Sequence, residues 1–214
     1  SSVPVKRTAL GRGSHEAARI VLTRAGRAVV YSGEDARVEY IYKFVSRDRM
    51  QPGGAKANQH LLDHGTLYVA RFDANGRGQW MPLTHGSHQL DAAHGFQDAG
   101  DVLIKTRQAS DALGATKMDR PEWGAVNPRN GEVYFTLTNN SASNRTPQKV
   151  DAANPRAYMD VDGKKGAGNP NGHIIRFRES GDLATATGFR WDIFLFGAEE
   201  DAGDANLSGL TARN

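Results

Sequence analysis

The sequence predicts an all-β protein, more specifically a partial β-propeller of antiparallel four-stranded blades with one inserted helix. Nine short segments of β-forming residues are separated by turns rich in Gly, Asn and Asp. Only one segment has a helical pattern. In addition, a strand–turn–strand unit that follows Glu16 recurs after Glu122. These three observations together favour radially repeated sheets.

The predicted strands follow one another along the whole chain. The first group is 18–23 (ARIVLT), 27–33 (RAVVYSG), 39–46 (EYIYKFVS), 66–72 (TLYVARF) and 78–83 (GQWMPL). The second group is 123–127 (WGAVN), 132–138 (EVYFTLT), 173–179 (HIIRFRE) and 189–196 (FRWDIFLF). Each segment carries the β-branched and aromatic residues that suit a pleated, partly buried strand.

One helix is predicted at 101–114, between the two groups of strands. Asp101 is a suitable N-cap, and Val102, Ala109 and Leu113 lie on about one face. Gly114 is a suitable stop. The segment 141–172 is rich in Asn, Pro, Gly and Lys and predicts a long loop.

The repeat aligns residues 15–35 with 121–140, so that Glu16 corresponds to Glu122. A third strand follows in each unit, and 40–48 then matches 173–180. Four antiparallel strands per unit are typical of a propeller blade, and the alternative is a β-sandwich. The propeller is favoured because radial units place equivalent strand ends around one axis.

Composition bounds the function of these 214 residues. The net charge is +3, from 27 basic and 24 acidic residues, but the basic residues are dispersed and form no groove-like cluster. Nucleic-acid binding is therefore not expected, whereas a small anionic substrate is compatible. No apolar run reaches the ~18 residues of a membrane span. The absence of cysteine excludes disulfides and thiolate metal sites within this chain.

The stretch Arg120-Pro121-Glu122 is the main candidate for chemistry. If the units are blades, Glu16 and Glu122 reach equivalent places at one channel mouth, where a cation would relieve the repulsion between their carboxylates. Arg120 beside them would form a cradle for a phosphate group. The alternative interpretation is a structural Arg120–Glu122 ion pair at a strand end.

Four further residues offer oxygen ligands to a hard cation. Asp35, Asn139 and Asn140 lie where the matching second strands end, and Glu39 opens the next strand. Each of them is also an ordinary residue for its position, and that interpretation stays open.

Long strings of the sequence resemble the PhoX-type alkaline phosphatases, among them GATKMDRPEWGAVNPRNGEVYFTLTNN, GRGSHEAARIVLTRAG and EYIYKFVSRD. The resemblance covers most of residues 10–197. It implies a β-propeller phosphatase that hydrolyses phosphate monoesters, has a mixed calcium–iron cofactor and is exported to the periplasm. By its motif positions, Glu16 and Glu122 would be metal ligands, and Arg120 would contact the substrate phosphate.

The chain also departs from that family. The phosphatases are more than twice as long, and an N-terminal cysteine ligates their iron, whereas this chain has no cysteine. Calcium is therefore expected and iron is doubtful. Residues 1–214 are expected to form a single domain, a fragment of a longer propeller whose partners are the remaining blades or another copy. The alternative function is a non-catalytic propeller module that binds a protein or small molecule.

Overall fold

Nine antiparallel strands form one continuous sheet in the computed structural model, which describes residues 3–159, 166–200 and 211–213. The nine strands are β1 (His15–Leu22), β2 (Arg27–Glu34), β4 (Ile41–Arg49), β5 (Gly65–Phe72), β6 (Arg77–Pro82), β8 (Pro121–Val126), β9 (Val133–Leu137), β13 (His173–Glu179) and β14 (Gly188–Ala198). Their order in the sheet is β1-β2-β4-β5-β6-β14-β13-β9-β8. All nine predicted strands are therefore observed, and the all-β prediction is confirmed.

Six short strands complete the fold. They are β3 (Arg37–Glu39), β7 (Met118–Asp119), β10 (Asn140–Ser141), β11 (Tyr158–Met159), β12 (Ala167–Asn169) and β15 (Thr211–Arg213). β3 pairs with β7, β10-β12-β11 form a small sheet, and β15 adds to β14 in parallel. The predicted loop 141–172 thus contains short strands, and its residues 160–165 lie outside the described part of the chain.

The predicted repeat is present in the strand order. The units β1-β2-β4-β5 and β8-β9-β13-β14 each consist of two hairpin strands, a third strand and a fourth. β6 forms hydrogen bonds with both fourth strands, so the two units share one sheet instead of forming separate ones. This arrangement is consistent with a partial, propeller-like all-β fold.

The sheet curls until its two end strands meet, and we call the contact between β1 and β8 the seam. Arg19 of β1 donates a hydrogen bond to the carbonyl of Gly124, and its guanidinium lies 4.5 Å from the ring of Trp123. Gly33 on β2 has no room for a Cβ, which would meet the carbonyl oxygen of Pro121. These contacts place the start of β1 beside the start of β8.

Apolar side chains fill both faces of the first unit. The inner face, enclosed by the curled sheet, buries an aromatic cluster that includes Tyr31, Phe72, Trp80, Phe135 and Phe177. The outer face of β2, β4 and β5 is covered by the helical segments and buries Tyr42, Phe44, Leu67, Leu90 and Val102, among others. Burial on both faces explains why these strands read as nearly continuous apolar runs.

The predicted helix is two helices, α2 (Ala99–Ile104) and α3 (Thr106–Ala112), after a short α1 (Gly54–Ala57). Asp98 is the N-cap of α2, since its carboxylate accepts from the amide of Asp101 at 2.8 Å. The break at Lys105 follows because the carbonyl of Leu103 accepts from the Thr106 hydroxyl and from the Arg12 amide instead. Gly114 follows α3 with φ 67°, as a helix stop should. Short 3-10 turns lie at Thr8–Leu10, Ala92–His94 and Ser180–Asp182.

The interior of the curled sheet also holds a buried ion pair. The ammonium of Lys43 donates to Glu179 at 2.9 Å and to the carbonyl of Ala186 at 2.6 Å. The same carboxylate accepts from the Tyr31 hydroxyl and the Trp80 indole. Burial lowers the pKa of Lys43 and raises the pKa of Glu179, although each charge opposes the shift of the other.

Three buried tyrosines predict a loss of stability at alkaline pH. Burial is the main cause that raises the pKa of Tyr31, Tyr40 and Tyr42, and nearby carboxylates add to it. Their folded-state pKa values exceed the unfolded value of about 10. Their contribution to the free energy of unfolding is therefore complete below about pH 10 and decreases progressively as the pH rises above that value. We expect the free energy of unfolding to fall by about 4 kcal/mol between pH 10.5 and 11.5, about 1.4 kcal/mol for each tyrosine. Urea unfolding at both pH values measures this fall. Tyr40→Phe should remove about a third of it, and an unchanged slope in that variant would contradict the assignment.

Candidate functional site

Arg120 lies between β7 and β8, beside the seam, in a conformation that few residues adopt. Its φ is 56°, in the left-handed region that disfavours a residue with a Cβ. Such strain persists only where the surroundings impose it, and it is often found at functional sites. Its carbonyl accepts from the amide of Thr138 at 3.3 Å, which ties it to the end of β9.

The guanidinium of Arg120 is held by Asp35. Its Nε and Nη2 each donate to one carboxylate oxygen of Asp35 at 2.9 Å. This bidentate pair fixes the plane of the guanidinium. The alternative of an Arg120–Glu122 ion pair is therefore wrong in its stated form, because the carboxylate partner comes from the loop after β2. The outer edge of the guanidinium, with Nη1, makes no hydrogen bond to any of the described residues and stays available to an anion.

Both neighbours of Arg120 are buried and fixed. Pro121 packs against Gly33, which leaves no space between the two backbones. Asp119 is fully buried and accepts hydrogen bonds from Arg145 at 2.6 Å, Asn140 at 2.7 Å and Asn169 at 2.8 Å. The backbone on both sides of Arg120 is therefore fixed by Asp119 and Pro121, which accounts for the unusual backbone conformation of Arg120.

The Asp119 network continues to a buried histidine. His173 Nε2 donates to the carbonyl of Ala153 at 2.7 Å, which leaves Nδ1 to accept from Asn169 at 3.2 Å. Burial lowers the pKa of His173, which is consistent with a neutral ring. Sequence reasoning missed this network. The Asp119-Arg120 dipeptide before the strand was its only signal.

Glu16 and Glu122 occupy equivalent irregularities in the two edge strands. The β1–β2 register shifts between His15 and Ala18, and the β8–β9 register shifts between Pro121 and Gly124. β-Bulges of this kind re-aim side chains and are frequent near active sites. Glu16 is exposed and Glu122 half-exposed, and neither has an ion-pair or hydrogen-bond partner within the described residues.

Asn139 and Asn140 differ in their surroundings. Asn140 is buried, and its side-chain Nδ2 donates to Asp119, while its side-chain Oδ1 accepts from the Ser141 amide and from Asn144 Nδ2. The side chain of Asn139 is half-buried and makes no hydrogen bond within the part of the chain that the structure describes. Of the two amides, Asn139 is therefore the one left to bind a ligand.

Glu39 belongs to a cluster of charged residues with Arg107 and Glu34. β3 places it opposite Met118, and Arg107 of α3 lies between it and the buried Glu34. Burial is the main cause that raises the pKa of Glu39 to about 7, and the carboxylate of Glu34 adds to it. Arg107 lowers this pKa, at 3.6 Å from the Glu39 carboxylate.

The donors present fit a hard cation in type but not in number. Calcium takes six to eight oxygen ligands, and carboxylates and amide oxygens are suitable. However, the described residues contain no group of three or more His, Cys, Asp or Glu side chains that could hold a metal ion. Asp35 already binds Arg120. Glu16, Glu122 and Asn139 therefore offer at most part of a ligand set.

Fold and site together define a propeller-like all-β protein with a fixed arginine and, beside the seam, two glutamates that have no ion-pair partner among the described residues. The profile described as alkaline phosphatase PhoX matches residues 1–214, and the chain belongs to the PhoX alkaline phosphatase family. The resemblance seen in the sequence is thereby confirmed.

A solved structure with the same fold is that of Pseudomonas fluorescens PhoX in complex with vanadate, a transition state analogue. It is 50% identical, superposes with a TM-score of 0.80 and covers 90% of this chain. This chain in turn spans 33% of the length of that PhoX chain. A comparison with curated proteins finds no match. No helix in the described ranges is long and apolar enough to cross a membrane.

Proposed function

We propose that these residues form part of a metal-dependent alkaline phosphatase that hydrolyses phosphate monoesters. The observation that carries the proposal is Arg120, held in a strained backbone by buried neighbours and oriented by Asp35. Membership of the PhoX family supports it, and so does the solved relative, which binds vanadate as a transition state analogue.

In this proposal Arg120 binds the phosphate group of the substrate. Asp35 occupies one edge of its guanidinium, and the other edge faces the phosphate oxygens. A positive fork that is already oriented stabilises the charge on the transferring group without reorganisation. The rigid anchors on both sides, Asp119 and Pro121, keep that fork in place.

Glu16, Glu122 and Asn139 are proposed to contribute ligands to a cation site that residues outside these two units complete. Calcium is the favoured ion because the donors are oxygen atoms and the chain has no cysteine for iron. A bound cation supplies positive charge for the phosphate and activates the nucleophile. Further parts of a longer propeller, or a second copy, are the proposed partners, and the proposed location is the periplasm of a bacterium.

Glu122→Gln tests the metal part of this proposal. We expect calcium affinity to fall about tenfold or more, since a neutral amide is a poorer ligand for a hard cation than a carboxylate. Phosphate release from an aryl phosphate should fall with it. The experiment uses the full-length protein in which these residues occur, with calcium titration and a phosphatase assay.

The matched control is Glu132→Gln, on the hairpin turn at the other end of β9, which should leave both quantities unchanged. Wild-type calcium binding in Glu122→Gln would remove Glu122 from the ligand set. A wild-type protein without phosphatase activity at any calcium concentration would instead favour a binding module.

A further inference from the structure

Three arginines lie directly opposite one another on adjacent strands of the sheet. Arg178 of β13 is paired in register with Arg190 of β14, and Arg190 is paired with Arg77 of β6. All three are exposed. Residues paired across an antiparallel sheet point to the same face, so the three guanidiniums share the outer face. We call this set the arginine row.

The arginine row is only partly neutralised. Like charges directly opposite each other destabilise a sheet. Of the nearby carboxylates, Asp182 pairs with Arg178 at 2.6 Å and Asp192 with Arg176 at 2.5 Å. Arg77 and Arg190 form no ion pair within the described residues. The sheet therefore carries two uncompensated cations side by side.

A small depression adjoins the row. Its volume is about 320 Å³, and Arg176, Arg178 and Arg190 contribute to its lining. Glu132 also lines it, with its carboxylate bonded to the Tyr134 hydroxyl at 2.7 Å. The indole of Trp191, a further lining residue, donates to the carbonyl of Arg77 at 2.8 Å. This bond anchors the backbone beneath the third arginine.

We propose that the arginine row binds a small polyvalent phosphate anion, such as a condensed phosphate. Neighbouring strands lie about 4.8 Å apart, so adjacent guanidiniums can each meet a separate phosphate group of one ligand. The guanidinium fork matches phosphate oxygens in shape and charge. The depression has the size of a small-ligand site, which favours such an anion over an acidic polypeptide.

This site is distinct from the candidate phosphatase site. In the sheet, Pro121 is level with Leu137, and Leu137 is level with His173, at the beginning of β13. Arg178 lies near the other end of the same strand. The inference therefore does not depend on the proposed role of Arg120.

The test is isothermal titration of the full-length protein in which these residues occur, with tripolyphosphate at low salt. We expect binding by the wild type, and a loss of about tenfold or more in affinity for Arg190→Gln and for Arg77→Gln, since each removes one charged fork. Arg129→Gln, on the exposed β8–β9 turn, is the matched control and should bind as the wild type does. Without ligand, Arg190→Gln should raise the melting temperature because it relieves the repulsion within the row.

Two further measurements test whether the anion binds at another site or whether the row prefers another anion. Tripolyphosphate affinity that Arg120→Lys lowers and Arg190→Gln leaves unchanged would place the anion at the phosphatase site and overturn the inference. Polyglutamate that binds more tightly than tripolyphosphate, with the same loss in Arg190→Gln, would overturn the choice of phosphate. Absence of any tripolyphosphate binding by the wild type would also refute it.

Discussion

Replacing Lys43 by methionine is expected to lower the free energy of unfolding by about 3–5 kcal/mol, the usual cost of removing one partner of a buried ion pair. Lys43 is fully buried, and Glu179 has about one-twentieth of its side-chain surface exposed. In the variant the carboxylate keeps its bonds from Tyr31 and Trp80 but loses its cation. An uncompensated charge then remains in the aromatic interior.

The repeat provides a matched control for this prediction. Arg176 aligns with Lys43 in the sequence repeat, but it pairs with Asp192 at the surface. Arg176→Met should cost less than about 1 kcal/mol, as exposed ion pairs usually do. Urea unfolding of both variants gives the comparison. An equal loss of unfolding free energy in the two variants would show that the buried ion pair stabilises the fold no more than the exposed one.

The double variant Lys43→Met/Glu179→Leu separates charge from packing. Replacing both members of a buried pair by apolar residues of similar volume is often neutral or stabilising. We therefore expect the double variant to recover most of the loss seen for Lys43→Met. A double variant less stable than both single variants would mean that packing around Ala186 and Trp80, not an unpaired charge, determines the cost.

The strands could be predicted from the sequence because their signals are local. Segments such as 173–179 combine β-branched and aromatic residues between turns, and the structure places β13 at His173–Glu179. The strand order of the two units also followed from the repeat. The break between α2 and α3 was not predictable in this way, since the carbonyl of Leu103 is captured by Arg12, about ninety residues earlier in the chain.

The site was predictable only in part, because its partners meet through the curl of the sheet. The sequence identified Arg120 but assigned it no partner beyond Glu122, whereas Asp35, 85 residues away in the chain, binds it. Likewise, the repeat aligned Lys43 with Arg176, yet one side chain faces the interior and the other faces solvent. Which face a strand residue occupies depends on the pairing register, and a shift of one residue moves a side chain to the other face, so aligned residues of the two units need not face the same way.

Arg120→Lys is expected to lower the kcat of the full-length phosphatase by about 10²–10³, the usual cost of removing a donor aimed at transition-state charge. Lysine keeps the positive charge but not the planar fork, so it cannot hold Asp35 on one edge and phosphate on the other. Calcium affinity should not change, because neither the arginine nor the lysine that replaces it is a metal ligand. Phosphate release from an aryl phosphate and calcium titration measure the two effects, and Arg129→Lys on the exposed turn is the control.

A purely structural role for Arg120 makes a different prediction, and Asp35→Asn distinguishes the two. If Arg120 only pairs with Asp35, Asp35→Asn and Arg120→Lys should lower the melting temperature by similar amounts and leave kcat unchanged. If Arg120 binds phosphate and Asp35 orients it, Asp35→Asn should lower kcat less than Arg120→Lys does, because the amide still accepts one of the two hydrogen bonds. The ranking of the two kcat values decides between these roles. Arg120→Lys removes the guanidinium, whereas Asp35→Asn only weakens its orientation. The first substitution can lower kcat more than the second only if the guanidinium contacts the reacting group.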